Sequence, residues 1–117
     1  VYTGTHDNDT TVGWWRSDGA GDSTRASEEV AAEKAFAARY LGLREGDAIE
    51  WAMIRTALAS VADTVIVPMQ DILGLGSAAR FNLPGRAGGN WRFRFTWDQC
   101  TPALTQRLRT LVDTFDR

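Results

Sequence analysis

Thr64-Val65-Ile66-Val67-Pro68-Met69 (TVIVPM) is the stretch on which the fold turns. Thr64 to Val67 is β-branched at every position, which stiffens the side chains and favours extended backbone. An apolar run without alternation predicts a strand covered on both faces, as in a parallel sheet flanked by helices. Upstream, Asp47 with Glu50 three residues later reads as a capping box. The helix it opens carries Ile49, Met53, Ile54, Ala57, Leu58 and Val61, and its Trp51 is expected in the core. Further back, Ser27 reads as an N-cap, and Glu28 and Glu29 suit the positive end of a helix dipole. Val30, Ala31, Phe36, Tyr40 and Leu41 then form an apolar stripe, with Gly42 as a stop.

The chain opens on Val-Tyr-Thr-Gly, read as a strand end running into a polar, turn-rich segment over 6–13. Trp14 to Arg16 begins a short helical turn, and Ser17 to Thr24 is a loop. Downstream of the central strand, Ser77 to Phe81 is expected to make one helical turn inside a glycine-punctuated stretch. Trp91 to Thr96 alternates aromatic and basic residues, which favours extended structure. Thr101 caps a last helix with proline at its first position, and Leu104, Leu108, Leu111, Val112 and Phe115 form its buried stripe. The order of strand end, two helices, strand, long loop and helix is an α/β pattern with no hairpin between the strands.

With 117 residues the chain is long enough for one domain and too short for two. A composition of 44% hydrophobic and 24% charged residues excludes a disordered chain. A net charge of −2 argues against binding nucleic acid through phosphate neutralisation. No apolar run approaches the roughly 20 residues that span a bilayer, so no membrane partner is expected. Cys100, the one cysteine, makes neither an internal disulfide nor a zinc site and points to a reducing compartment. The opening in mid-strand raises the expectation that the chain is part of something larger.

His6-Asp7-Asn8-Asp9 follows the first strand, and Gln70-Asp71 follows the second. In parallel α/β folds the loops past the carboxyl ends of the strands share one crevice. Carboxylates there can accept hydrogen bonds from vicinal hydroxyls, and tryptophan faces can stack on sugar rings, which points to carbohydrate. The plainer reading is a turn whose Asp and Asn side chains bond the local backbone. A calcium loop fits poorly, because Val12 stands where that loop needs glycine. GLGSAAR lacks the third glycine of a dinucleotide loop, and Cys100 has no histidine near it in sequence. No metal and no organic cofactor is expected.

YTGTHDNDTTVGWW, VPMQDILGLGSAARFNLPG and GNWRFR stand in this order between Val1 and about Arg94. In these three blocks the chain resembles the amylomaltases, the 4-α-glucanotransferases of starch, maltodextrin and glycogen metabolism. The resemblance implies the C-terminal portion of a (β/α)8 barrel, from the end of strand seven through strand eight and the closing helix. Residues 1–117 would then be an incomplete domain, mostly helical when isolated. It also implies a retaining transfer of α-1,4-glucan segments through a covalent glycosyl-enzyme. Asp7 matches the carboxylate that stabilises the transition state, His6 is its neighbouring sugar contact, and Asn82 is matched to a substrate-binding asparagine. The roles of Gln70, Asp71, Asn90 and Trp91 stay open. Asp71 and Arg80 are expected to fix the loop, and Trp91 to pack rather than stack.

The chain departs from the family in one respect that matters: nothing resembles the strands bearing the nucleophile and the acid. Retaining catalysis needs that pair roughly 5–5.5 Å apart. The isolated chain is therefore expected to be inactive, its partners being α-1,4-glucans and the N-terminal part of the same cytoplasmic enzyme. Two rival readings remain, a carbohydrate-binding module using Trp14, Trp15, Trp91 and Trp97, and a remnant that self-associates through the edges of TVIVPM.

Overall fold

A computed structural model describes residues 1–18 and 27–117. Its helices are α1 (Thr11–Arg16), α2 (Ser27–Leu41), α3 (Ile49–Leu58), α4 (Met69–Ile72) and α5 (Pro102–Thr114). Short 3-10 turns occupy Ser77–Ala79 and Trp97–Gln99. Among the described residues the chain is mostly helical, and its β pairing is a parallel bridge between Tyr2 and Ile66. Ile66 N–H donates to the Val1 carbonyl at 2.9 Å, and Thr3 N–H donates to the Ile66 carbonyl at 3.4 Å. The Val1 nitrogen extends the register by donating to the Thr64 carbonyl at 2.7 Å.

Trp51, Ile54 and Leu58, one face of α3, form the buried core, as the apolar spacing of that helix predicts. Val65 and Val67 pack onto them from one side, and Leu104, Leu108, Leu111, Val112 and Phe115 of α5 from another. Full burial of an aliphatic side chain such as Ile54 contributes about 1.5–3 kcal/mol, and the partly buried residues around it contribute less. Two cations seal the seam: the Arg107 guanidinium lies 4.3 Å from the Trp51 ring centroid, and that of Arg55 lies 5.4 Å from Phe115. Arg117 then donates Nε to the Leu58 carbonyl at 3.0 Å and its terminal nitrogens to Ser60 and Ala62. The first of these satisfies a carbonyl that the end of α3 leaves without a helical partner, and the others hold the turn that follows it. The start of α5 follows its sequence signal, with Thr101 Oγ1 accepting from Leu104 N–H at 3.2 Å and Pro102 in the first turn.

Several expectations need correction. The strand predicted over Thr64–Met69 is only a bridge at Ile66, and Met69 already belongs to α4. Pro68 lacks an N–H and holds φ at −60°, so it ends pairing and starts the helix. Nor is the run covered on both faces, since Val65 and Val67 face the core while Ile66 is exposed. The capping box at Asp47 does not form: Ala48 is the N-cap without a side-chain bond. Asp47 instead accepts from Arg44 N–H at 2.8 Å, tightening the turn before the helix. Val61 lies past the end of α3 and is fully exposed.

On α2, Val30 is buried, but Phe36 and Tyr40 stack on each other in the open. They occupy a face that no described element covers. The residue before Ser27 and most of the loop predicted over Ser17 to Thr24 lie outside the described residues. No described helix is long and apolar enough to cross a membrane.

Candidate functional site

Val1 to Thr3 and Thr64 to Ile66 run parallel, so the loops that follow them leave from the same end of the pair. The first loop is shaped locally. Thr5 N–H and Thr5 Oγ1 both donate to Asn8 Oδ1 at 2.8 Å, a turn that mimics backbone pairing. Thr10 Oγ1 then caps α1 by accepting from Gly13 N–H at 3.0 Å. The plainer reading of HDND as a local turn therefore holds for Asn8. His6 and Asp7, by contrast, are left exposed at the apex.

Asp71 ties this loop to the second strand. It is 1% exposed. Its Oδ2 accepts from Thr3 Oγ1 at 2.8 Å and Thr11 Oγ1 at 2.9 Å, and its Oδ1 from Thr11 N–H at 2.8 Å. A buried carboxylate is tolerated only when so satisfied. Because Thr3 and Thr11 bracket the loop, its two ends are held against α4. Gln70 beside it is also buried and donates to the Ala79 carbonyl at 3.2 Å, while its Oε1 has no partner among the described residues.

The second loop closes over the first. Asn82 Nδ2 donates to Asp7 Oδ1 at 2.6 Å, and His6 Nε2 lies 3.3 Å from Asp7 Oδ2. All three residues singled out in the sequence are thus brought together. Arg80 spans the two loops: its Nη2 donates to the Asp7 carbonyl at 2.9 Å and its Nε to the Asn82 carbonyl at 3.1 Å. Its Nη1 also lies 3.9 Å from Asp9 Oδ2. Ser77 Oγ donates to the same Asp9 oxygen at 2.8 Å. This packing depends on Gly13, where a Cβ would come within 2.4 Å of Ser77 Oγ and 2.5 Å of Asp9 Oδ1.

Sequence reasoning named Asp9 only within the HDND cluster and assigned no role to Ser77 or Gly13. Trp91 is 56% exposed, and its ring centroid lies 5.2 Å from that of His6. Among the tryptophans the packing expectation is met by Trp51, whereas Trp97 is 79% exposed. Residues 91–96, read as extended from their alternation, form no strand, though the rings of Phe93 and Phe95 and of Phe95 and Trp97 meet. Chemically, an exposed carboxylate flanked by an amide, an imidazole and an indole can accept from and donate to adjacent hydroxyls of a polyhydroxylated ring.

The family model described as 4-alpha-glucanotransferase matches residues 1–101. The 4-alpha-glucanotransferase of Thermus thermophilus is 42% identical over 122 residues, covering all of this chain and 22% of that protein. The chloroplastic/amyloplastic 4-alpha-glucanotransferase of Arabidopsis thaliana is 43% identical over 120 residues, covering all of this chain and 19% of that protein. In three dimensions the chain is similar to an amylomaltase from Streptococcus agalactiae in complex with acarbose. The TM-score is 0.82 at 30% identity, over 99% of this chain and 21% of that one. The chain thus spans about a fifth of the length of the relatives it matches, and on these matches it belongs to the 4-alpha-glucanotransferase family.

Proposed function

We propose that residues 1–117 are the C-terminal portion of the catalytic (β/α)8 barrel of a 4-α-glucanotransferase, from the end of strand seven through the closing helix. The observation that carries this reading is the meeting of Asp7 and Asn82 at 2.6 Å. They sit on the two loops that leave the same end of a parallel pair, where barrel enzymes build their sites. The parent enzyme moves α-1,4-glucan segments between maltooligosaccharide or starch acceptors by retaining double displacement, with nucleophile and acid supplied by preceding barrel segments. Asp7 stabilises the positive charge that develops on the sugar ring, an ionised acceptor gaining strength as that charge grows. His6 and Asn82 hold Asp7 and contact the same sugar. The acarbose bound by the Streptococcus agalactiae relative is consistent with a glucan-like ligand. The reading places a bacterial parent in the cytoplasm and a plant one in the plastid.

The chain alone lacks the nucleophile and the acid, and does not cleave glycosidic bonds. The experiment joins residues 1–117 to the preceding four-fifths of the Thermus thermophilus relative and measures disproportionation of maltotriose. Transfer by the chimera and none by the isolated chain is the expected result. Transfer by the chain alone, or a folded but inert chimera, would overturn it. The exposed indoles of Trp91 and Trp97 favour a second reading, a free-standing carbohydrate-binding module. Tight binding of maltooligosaccharide to the isolated chain, followed by tryptophan fluorescence, selects that alternative. The exposed edge at Ile66 also favours self-association of the isolated chain; a monomeric mass by light scattering at micromolar concentration rejects it.

A further inference from the structure

We infer that Trp91 is a sugar-stacking platform of this site, taking the apolar face of the glucosyl ring whose hydroxyls Asp7 and Asn82 hold. The inference rests on the glucan reading above. An indole buries as much apolar surface as any side chain, and its ordinary place is a core or an interface. Trp91 is instead set beside His6, outside the buried core of this chain, and its backbone sits at φ 62°, in the left-handed region. For a bulky residue that conformation costs on the order of 1–3 kcal/mol and persists only where the surroundings impose it.

The surroundings do impose it. Trp91 N–H donates to the Phe81 carbonyl at 2.6 Å. The neighbouring Asn90 accepts from Leu83 N–H at 3.0 Å and donates to the Arg86 carbonyl at 2.8 Å. These bonds close the loop between Phe81 and Trp91 at its base and set the indole beside His6, with ring centroids 5.2 Å apart and planes inclined at 38°. Asp7 follows His6 directly, and Asn82 follows Phe81, whose ring lies 6.1 Å from the indole. The polar groups that would hold ring hydroxyls and the indole are therefore carried by three short segments, 6–7, 81–82 and 90–91, that meet at one place. A pyranose offers hydroxyls at its rim and C–H groups on its face, and the electron-rich indole attracts the latter. Trp97 is more exposed still, but it meets Phe95 at the far end of a run of rings and makes a natural control.

The test uses the chimera with the Thermus thermophilus relative. Trp91→Leu is expected to raise KM for maltotriose roughly three- to tenfold, the loss of one aromatic contact. kcat and the melting temperature should hardly change. Trp91→Phe, which keeps a smaller face, gives an intermediate KM, and Trp97→Leu leaves both constants as they were. An unchanged KM in Trp91→Leu overturns the inference, as does a collapse of its melting transition, which marks a structural side chain. In either case an active parent chimera leaves the glucanotransferase reading standing. A folded parent chimera without transfer activity defeats both.

Discussion

The amide of Asn82 donates to the carboxylate of Asp7 at 2.6 Å across 75 positions of chain. Both side chains are near solvent, where such a bond contributes little to stability. Its consequence is orientation: one carboxylate oxygen is aimed by Asn82, and the other lies toward His6 at 3.3 Å. A carboxylate that must meet charge developing on a substrate benefits from being aimed in advance.

Asp7→Asn in the chimera is expected to lower transfer activity by about 10²–10³-fold, the scale seen when one preorganised electrostatic contact is removed. Because Asp7 is exposed, stability should change by less than about 0.5 kcal/mol. Thermal denaturation of the isolated chain beside initial rates of the chimera checks both halves.

Arg80 positions the site without being part of its proposed chemistry. Its three contacts to Asp7, Asn82 and Asp9 hold the two loops in register. Arg80→Ala should reduce kcat/KM by about 10- to 100-fold through misplacement of Asp7. Arg80→Lys should restore little, since one ammonium cannot reproduce a planar fork reaching separate acceptors. Full rescue by lysine would show that charge alone is what counts.

Asp71→Ala removes the acceptor of three hydrogen bonds from a site that is 1% exposed and leaves the Thr11 N–H unpaired. A loss on the order of 3 kcal/mol in urea unfolding is expected, with Asp71→Asn less affected because it keeps the shape and one acceptor. Equal stability of wild type and Asp71→Ala would contradict the tether described above.

Gly13→Ala places a methyl group where Ser77 Oγ and Asp9 already stand, 2.4 Å and 2.5 Å away. About 1–3 kcal/mol of destabilisation should follow from overpacking. If the variant melts with the wild type, the second loop does not sit against α1 as described.

Local features were legible in the residues themselves. The start of α5 was announced by Thr101 and Pro102, and its stripe by the spacing of Leu104, Leu108 and Leu111. Trp51 was placed in the core by its apolar helix. His6, Asp7 and Asn82 were found through motif resemblance, and the structure brings them within contact of one another. The spacing on α2 reads as an apolar stripe, yet of its residues Phe36 and Tyr40 are exposed. Periodicity tells which residues share a face, not whether a neighbour covers it. Asp47 shows a similar limit, since its side chain had two local backbone partners to choose from and took the turn before α3.

By itself, then, the sequence determined what depends on residues within a turn or two of one another: the cap that starts α5, the core face of α3 and the family motif. Tertiary structure decided the rest. The burial of Asp71 between Thr3 and Thr11, and the closure of Asn82 and Arg80 over Asp7, join residues 60 or more positions apart. So does the meeting of His6 with an exposed Trp91. Such contacts form only after the parallel pair brings two loops to one end. Nothing in the local spacing of either loop encodes that return.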